Sequence, residues 1–300
     1  MKPRNKYRLY MALFKPLSWL PLRMLYGISD MLRFLLQYVI KYRRKVVREN
    51  LTASLPDKSV SELRRIENQF YRQFADNIVE TIKLLHISDR TINKRVKVLN
   101  SELVEDIARS GQPIMLYLGH YGNWEWVPAI TLHFDEPKIA AQIYKAIHDE
   151  AFDKVMLRVR SRFKSQNIEQ YSAMRTLLRF RRDYGTFIVG ILDDHSPNHN
   201  RSAHYMPWLN HPYTIYNVGA EEIGRRLDAE FVYLDVEKPR RGHYTLTFKR
   251  IMPTETDTEY PYTREYMRML EATIRRAPGY WLWSHKRWRY QPAEQTETEQ

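Results

Sequence analysis

The chain has 300 residues, of which 48 are Lys or Arg and 35 are Asp or Glu, so its formal net charge is +13. Hydrophobic residues make up 43% of the chain, which is enough to bury a core and excludes a disordered or low-complexity protein. Without cysteine the chain cannot form a disulfide scaffold, a thiol nucleophile or a thiolate metal site. None of its 10 glycines lies in a phosphate-binding loop, so a nucleotide-binding enzyme of the common kind is not expected. The positive charge favours an anionic partner.

The basic excess is concentrated in residues 1–50, which hold twelve basic and two acidic side chains. This segment is also apolar, but charged residues interrupt every run before it reaches the ~18 residues of a membrane-spanning helix. A signal peptide is not expected either, because no small-residue cleavage site follows a clean apolar stretch.

The segment after Asp30 predicts a helix that is apolar except for one narrow polar stripe. The stripe residues recur every three or four positions and are Arg33, Gln37, Lys41, Arg44 and Arg48. Such a helix needs a broad apolar neighbour, which is either the core of the protein or a bilayer interface. The preceding apolar stretch, residues 9–24 with Trp19 and flanking basic residues, favours the bilayer. Residues 1–50 are therefore predicted to be a membrane-associated helical segment.

The remainder predicts an α/β domain over residues 51–290, followed by a polar tail over residues 291–300. Ser59 and Glu62 form a capping-box pattern at the start of a long amphipathic helix that ends near Leu85. Further helices are expected over residues 101–110, 152–163, 173–182, 217–226 and 263–276. Strands are expected over residues 114–118, 138–144, 186–192, 231–236 and 244–248. Alternating strands and helices indicate a largely parallel central sheet flanked by helices.

The most informative stretch is LGHYGNWEW, residues 118–126. His120 comes directly after the strand predicted over residues 114–118, where reactive groups collect in parallel sheets. Gly122 permits a sharp turn and Asn123 is a favourable N-cap, which places Glu125 in the first turn of the next helix. Across such a turn, the side chains of His120 and Glu125 can meet.

A carboxylate that binds one imidazole nitrogen fixes the tautomer and leaves the other nitrogen free to act as a general base. With His120 as the base and Glu125 as the orienting acid, no Ser or Cys nucleophile is needed if the substrate brings its own hydroxyl. A purely structural histidine is the alternative. A metal site is not expected, since a single His and a single Glu at this spacing lack the His pair of zinc proteases.

Four motifs together resemble a known family. They are GHYGNWE at residues 119–125, YRR at residues 42–44 with RENL at 48–51, the stretch from Tyr144 to Phe163 with its Arg158, Arg160 and Arg162, and PGYWLWSHKRWR at residues 278–289. ILDDHSP at residues 191–197 is similar to a strand end where the family commonly has Asp-Gln or Asp-His-Asp. The chain is similar over residues 8–290 to the late acyltransferases of bacterial lipid A biosynthesis, in the lysophospholipid acyltransferase superfamily. It departs from the family at Asp149, where Asn is more usual, and at Asp194.

The resemblance implies a glycerolphosphate acyltransferase-like fold and transfer of a fatty acyl chain from a thioester to a hydroxyl of a lipid A precursor. His120 is then the general base and Glu125 supports it. Acyl carrier protein or acyl-CoA is the expected donor, and an anionic glycolipid at the cytoplasmic face of a Gram-negative inner membrane is the expected acceptor. No cofactor and no metal are expected.

Three further residues are candidates for substrate binding. Arg160 is expected to contact a phosphate or a sugar, Asp193 to shape the site, and Asn123 either to contact substrate or only to cap its helix. Other acceptors, a lysophospholipid or an amino-acid lipid, fit the same motif. A nucleic-acid-binding protein would leave LGHYGNWEW unexplained and is not expected, whereas a non-catalytic membrane scaffold stays open.

Overall fold

The computed structural model describes residues 2–197 and 204–290. The polar tail expected over residues 291–300 lies outside them. Nine strands are named in chain order: β1 (Val96–Leu99), β2 (Ile114–Leu118), β3 (Ala140–Tyr144), β4 (Gln166–Glu169), β5 (Ile188–Leu192), β6 (Tyr205–Trp208), β7 (His211–Ile215), β8 (Glu230–Arg240) and β9 (His243–Arg250).

The α-helices of the described residues are named in the same way: α1 (Pro3–Trp19), α2 (Leu22–Phe34), α3 (Arg44–Ser54), α4 (Val60–Lys83), α5 (Asp89–Asn93), α6 (Glu102–Arg109), α7 (Glu150–Arg160), α8 (Ala173–Tyr184), α9 (Gly219–Arg226) and α10 (Pro261–Arg276). A π-helical turn spans Leu35–Val39, and 3-10 helices span Trp124–Leu132, Gln170–Ser172 and Pro278–Tyr280.

Seven strands form one sheet in the order β1-β9-β8-β2-β5-β3-β4. Every neighbouring pair in it is parallel except β8 and β9, which form an antiparallel hairpin. β6 and β7 form a separate two-stranded antiparallel sheet. The predicted α/β architecture, a largely parallel sheet flanked by helices, is confirmed.

The central strand β2 is buried at all five positions, as its apolar sequence predicts. The helix predicted from the capping-box pattern is also confirmed. The Ser59 hydroxyl accepts from the Glu62 backbone N–H, and the Glu62 carboxylate accepts from the Ser59 backbone N–H. This helix, α4, buries apolar residues such as Phe70 and Tyr71, and the Tyr71 hydroxyl donates to the carbonyl of Tyr42 over 2.7 Å.

Several elements differ from the sequence-based expectation. β1 and β4, each four residues long, lie at the two edges of the sheet and are only partly buried, so their sequences carry little apolar signal. The prediction of a continuous helix after Asp30 is wrong. It breaks between α2 and α3, where Lys41 and Arg43 have positive φ angles.

Three residues of the polar stripe bind α4, although Lys41 and Arg48 are exposed. Gln37 is buried and donates to Asn68 of α4 over 2.6 Å, and Arg44 and Arg48 both bind Glu67 of α4. Leu22 and Leu25 are buried, but many large apolar side chains of residues 1–40 are exposed: Leu9, Leu13, Trp19, Met24, Met31, Phe34, Leu35, Tyr38, Val39 and Ile40. Among the described residues, no helix combines the length and the apolar character needed to cross a bilayer.

Candidate active site

His120 and Asp194 are brought together by the register of two neighbouring parallel strands. Leu118, the last residue of β2, pairs with Leu192, the last residue of β5. His120 and Asp194 each lie two residues beyond that pair. Because the carboxyl ends of parallel strands meet at one edge of the sheet, both side chains reach the same place.

Asp194 makes three short hydrogen bonds. Its Oδ1 lies 2.6 Å from Nδ1 of His120, and its Oδ2 accepts from the His120 backbone N–H over 2.9 Å and from the Trp281 indole N–H over 2.7 Å. Burial alone would raise the pKa of Asp194, but the charge and hydrogen bond of His120 hold that pKa well below its ordinary value. Asp194 is therefore a buried carboxylate whose acceptors are directed at His120.

This arrangement differs from the expected pairing of His120 with Glu125. Arg160, at the end of α7, binds both oxygens of Glu125: its Nε lies 2.9 Å from Oε2 and its Nη2 lies 2.6 Å from Oε1. Both side chains are largely buried. Burial works against the charge of Arg160, and the bonds to Glu125 nevertheless raise its pKa. A two-bonded guanidinium is a strong competitor for a carboxylate, so Glu125 faces α7 while Asp194 binds the histidine. The expectation that Glu125 orients the His120 ring is corrected accordingly.

Three imidazole rings stack in parallel at this edge of the sheet. The ring centroids of His120 and His195 are 3.6 Å apart with an interplanar angle of 1°, and those of His195 and His285 are 3.9 Å apart at 3°. Trp124 meets His120 edge-on at 5.1 Å. Burial, followed by the neighbouring charge of His120, lowers the pKa of His195 to about 2, and burial together with Arg287 lowers that of His285 to about 4. Both rings are thus neutral at physiological pH.

The three residues His120, Asp194 and His195 hold potential metal-ligand atoms within 4.8 Å of one another. However, the lone pair of an imidazole nitrogen lies in the plane of its ring, and the rings of His120 and His195 are parallel and stacked. An ion in the plane of one ring would lie about one ring thickness outside the plane of the other. The geometry suits a hydrogen-bonded stack better than a metal centre.

Asn123, a candidate for substrate binding, is buried and fully used within the protein. Its carbonyl oxygen accepts from the Glu125 backbone N–H over 3.1 Å, and its amide donates to Glu80 of α4 over 2.7 Å. Asn77 of α4 donates to the carbonyl of Gly122 over 2.8 Å. Asn123 therefore caps the 3-10 helix Trp124–Leu132, and α4 holds the loop that carries the catalytic candidates.

Gly122 has a φ of 62°, a conformation that costs other residues energy. A Cβ atom here would lie 3.1 Å from Cγ1 of Val236 and 3.3 Å from Cε1 of Tyr244. Both the turn and the close packing thus require glycine, as the sequence pattern predicted for the turn.

Asp193, the third candidate for substrate binding, is buried beside the stack. Its Oδ2 has no hydrogen-bond partner among the described residues. Burial raises the pKa of Asp193 to about 8, and the adjacent Asp194 adds to this shift. Of the two adjacent aspartates, burial favours the protonated form of Asp193, whereas the contacts with His120 favour the ionised form of Asp194.

A cavity of about 870 Å³ joins these residues. Its polar wall includes His120, Glu125, Arg160 and His195. Its other wall is apolar and comes from β2, β3, β5 and the 3-10 helix, with Leu116, Ile130, Ala141, Ile188 and Gly190. A partly apolar cavity of this size with a few convergent polar groups is typical of small-molecule and lipid sites.

The sequence alone did not identify Asp194 as the orienting carboxylate or the stack formed by His195 and His285. The signal was present in the Asp-Asp-His run at a predicted strand end, because neighbouring strand ends meet. The sequence pattern did not give the strand order, which places β5 beside β2.

The parallel α/β sheet thus carries a carboxylate-bound histidine at its strand ends, beside a partly apolar cavity, and a histidine held in this way is able to accept a proton from a substrate. The family model described as bacterial lipid A biosynthesis acyltransferase matches residues 3–290. The chain belongs to this family, whose members transfer an acyl group to a lipid. No curated protein sequence matches the chain.

Proposed function

We propose that this protein transfers a fatty acyl chain from a thioester donor to a hydroxyl group of a lipid A precursor, with His120 as the general base. The observation that carries the proposal is the hydrogen bond between His120 Nδ1 and the buried Asp194, beside a large cavity. The family membership supplies the reaction class.

Asp194 defines how His120 works. With Nδ1–H donated to the carboxylate, Nε2 is left unprotonated and able to accept a proton. The acceptor hydroxyl gives its proton to Nε2 as its oxygen attacks the thioester carbonyl carbon. The carbon–sulfur bond then breaks, and the departing thiolate takes the proton from the imidazolium. General-base catalysis of this kind contributes roughly 10²- to 10⁴-fold to the rate.

Glu125 and Arg160 act as a pair in this proposal. Glu125 holds the guanidinium of Arg160 at the cavity wall, where a positive charge favours the oxyanion of the tetrahedral intermediate or a phosphate of the acceptor. The support that Glu125 gives to His120 is then electrostatic and indirect. Asn123 contributes by capping, and the protonated Asp193 shapes the wall beside the stack.

The apolar wall of the cavity suits the acyl chain. Leu116, Ile130 and Ile188 offer no polar groups, and Gly190 leaves space between β2 and β3. Acyl carrier protein and acyl-CoA both present the chain as a thioester. The positive net charge of the protein favours the acidic carrier protein.

The N-terminal segment is proposed to lie on the cytoplasmic face of the inner membrane. Met31, Phe34 and Trp19 are more than half exposed, and basic residues surround them. Each Lys or Arg near an anionic leaflet adds ~1 kcal/mol of attraction. Flotation with anionic vesicles tests this: the double variant Met31→Glu/Phe34→Glu is expected to lose vesicle binding, and the matched Val60→Glu, at another exposed apolar residue, is expected to keep it.

The function is tested by mass spectrometry of total lipids from a Gram-negative host that lacks its own late lipid A acyltransferases. The host expresses the wild type, His120→Ala, or the control His133→Ala, a partly buried histidine that does not line the cavity. The proposal expects an additional acyl mass on lipid A with the wild type and the control, and none with His120→Ala. The same mass on a phospholipid or an aminolipid would overturn the proposed acceptor, and a gain that survives His120→Ala would overturn the proposed base.

A further inference from the structure

One feature of the site has no part in the mechanism above: the face-to-face contact of His195 with the proposed base. The two rings are parallel to within 1° at a centroid distance of 3.6 Å. Asp194 binds one edge of the His120 ring and Trp124 meets the ring edge-on, but neither of them lies parallel to the ring and fixes its plane. A flat partner on one face fixes that plane.

His195 is itself held firmly in place. His285 covers its other face at 3.9 Å. The carbonyl of His195 accepts from Asn217 over 3.3 Å, and the carbonyl of His285 accepts from Asn50 over 2.9 Å. The middle ring of the stack therefore cannot move without breaking contacts on both sides.

We propose that His195 is a positioning residue for His120, and that its neutral ring face both fixes the plane of the His120 imidazole and stabilises the imidazolium formed when His120 accepts a proton. The inference rests on the proposed function, because it takes His120 to be the base. A cation over an aromatic face gains free energy, most of all in a desolvated site.

The surroundings keep His195 neutral while His120 is protonated. Burial, the charge of a protonated His120 and the charge of Arg287 oppose a proton on His195, whereas Asp194 favours it. Asp194 is already engaged with His120. The proton taken from the acceptor therefore stays on His120.

The kinetic test compares His195→Phe, which keeps a flat aromatic face, with His195→Leu, which fills similar space without one. His195→Leu is expected to lower kcat roughly 5- to 30-fold and to move the acidic limb of the pH–rate profile to lower pH by roughly half a unit, since the protonated base loses its stabilising partner. His195→Phe is expected to retain both the rate and the profile. Equal losses in the two variants, or unchanged activity in both, would overturn the proposal. If His195→Leu fails to fold, His195→Asn replaces it as the non-aromatic variant.

A second measurement separates this inference from the proposed function. NMR of the protein labelled with 15N-histidine reports the Nδ1 proton of His120 in the absence of any substrate. We expect its low-field signal, typical of a short bond to a carboxylate, in the wild type and His195→Phe, and a broadened signal in His195→Leu. A sharp, unchanged signal in His195→Leu would overturn the positioning role even if acyl transfer is confirmed. A missing acyl-transfer activity in the wild type would instead overturn the proposed function and leave this measurement valid.

Discussion

The Nδ1 atom of His120 lies 2.6 Å from Oδ1 of Asp194, a carboxylate delivered by the neighbouring strand. Asp194 is fully buried and donates nothing, so its oxygens are available only as acceptors. Asp194→Asn replaces one acceptor oxygen with an N–H donor, which favours the wrong tautomer of His120. We expect kcat to fall about 10²- to 10⁴-fold with little change in KM. Steady-state kinetics of acyl transfer measure this, with circular dichroism as a check on folding. A change in KM with kcat unaltered would contradict the prediction.

The ion pair of Glu125 and Arg160 gives a prediction about stability. Because both side chains are largely buried, removing one partner leaves an unpaired charge. Arg160→Met is expected to lower the free energy of unfolding by about 3 kcal/mol, and the double variant Glu125→Gln/Arg160→Met is expected to recover at least about 1 kcal/mol of that loss. Urea unfolding of the single and double variants measures the coupling. Strictly additive effects would mean that the two side chains do not stabilise each other.

Gly190 lines the apolar wall of the cavity, and a Cβ atom there would make ordinary contacts, 3.7 Å to Leu118 and 3.8 Å to the carbonyl of Ala141. A larger side chain is therefore tolerated by the backbone but projects into the proposed space for the acyl chain. Gly190→Met is expected to shift the transferred chain to shorter lengths, and Gly190→Ala to shift it less. Competition among donors of different chain length, read by mass spectrometry, tests this. An unchanged chain-length profile in both variants would place the chain elsewhere.

The raised pKa of Asp193 leads us to expect that the stability of the protein depends on pH. Burial raises its pKa to about 8 in the folded protein, compared with ~3.9 in an unfolded chain. Between these values the folded state holds a proton that the unfolded chain has released, so the contribution of Asp193 to stability is lost as pH rises towards 8.

Asp193→Asn carries no titrating proton and is expected to escape this loss. Relative to the wild type, its free energy of unfolding should increase between pH 5 and pH 8 by an amount on the order of 1 to 4 kcal/mol. Denaturant unfolding at several pH values measures the difference, with the exposed Asp183→Asn as the control. A difference that stays constant with pH would show that Asp193 is ionised in the folded state throughout this range.

The sheet could be predicted from the sequence wherever its strands are buried on both faces. β2 and β5 are short, continuous apolar runs, and the capping-box pattern of Ser59 and Glu62 predicts the start of α4. The edge strands β1 and β4 could not be predicted, because an edge strand needs few apolar residues to be stable.

The site was predictable in part. His120 at a strand end followed from its local pattern, and so did the turn at Gly122 and the cap at Asn123. The pairing of His120 with Asp194 could not be predicted from the local pattern, because the two residues are 74 positions apart and meet only through the strand order. Local spacing suggested Glu125, but Arg160 competes for that carboxylate through a contact that sequence periodicity does not encode. The catalytic roles of His120 and Glu125 stay predictions.

NMR of 15N-histidine-labelled protein tests most directly which carboxylate orients the proposed base. Three samples are needed: the wild type, Asp194→Asn and Glu125→Gln. We predict a low-field Nδ1 proton signal of His120 in the wild type, its loss in Asp194→Asn, and its retention in Glu125→Gln. A signal that survives Asp194→Asn and disappears in Glu125→Gln would contradict the arrangement and return the orienting role to Glu125.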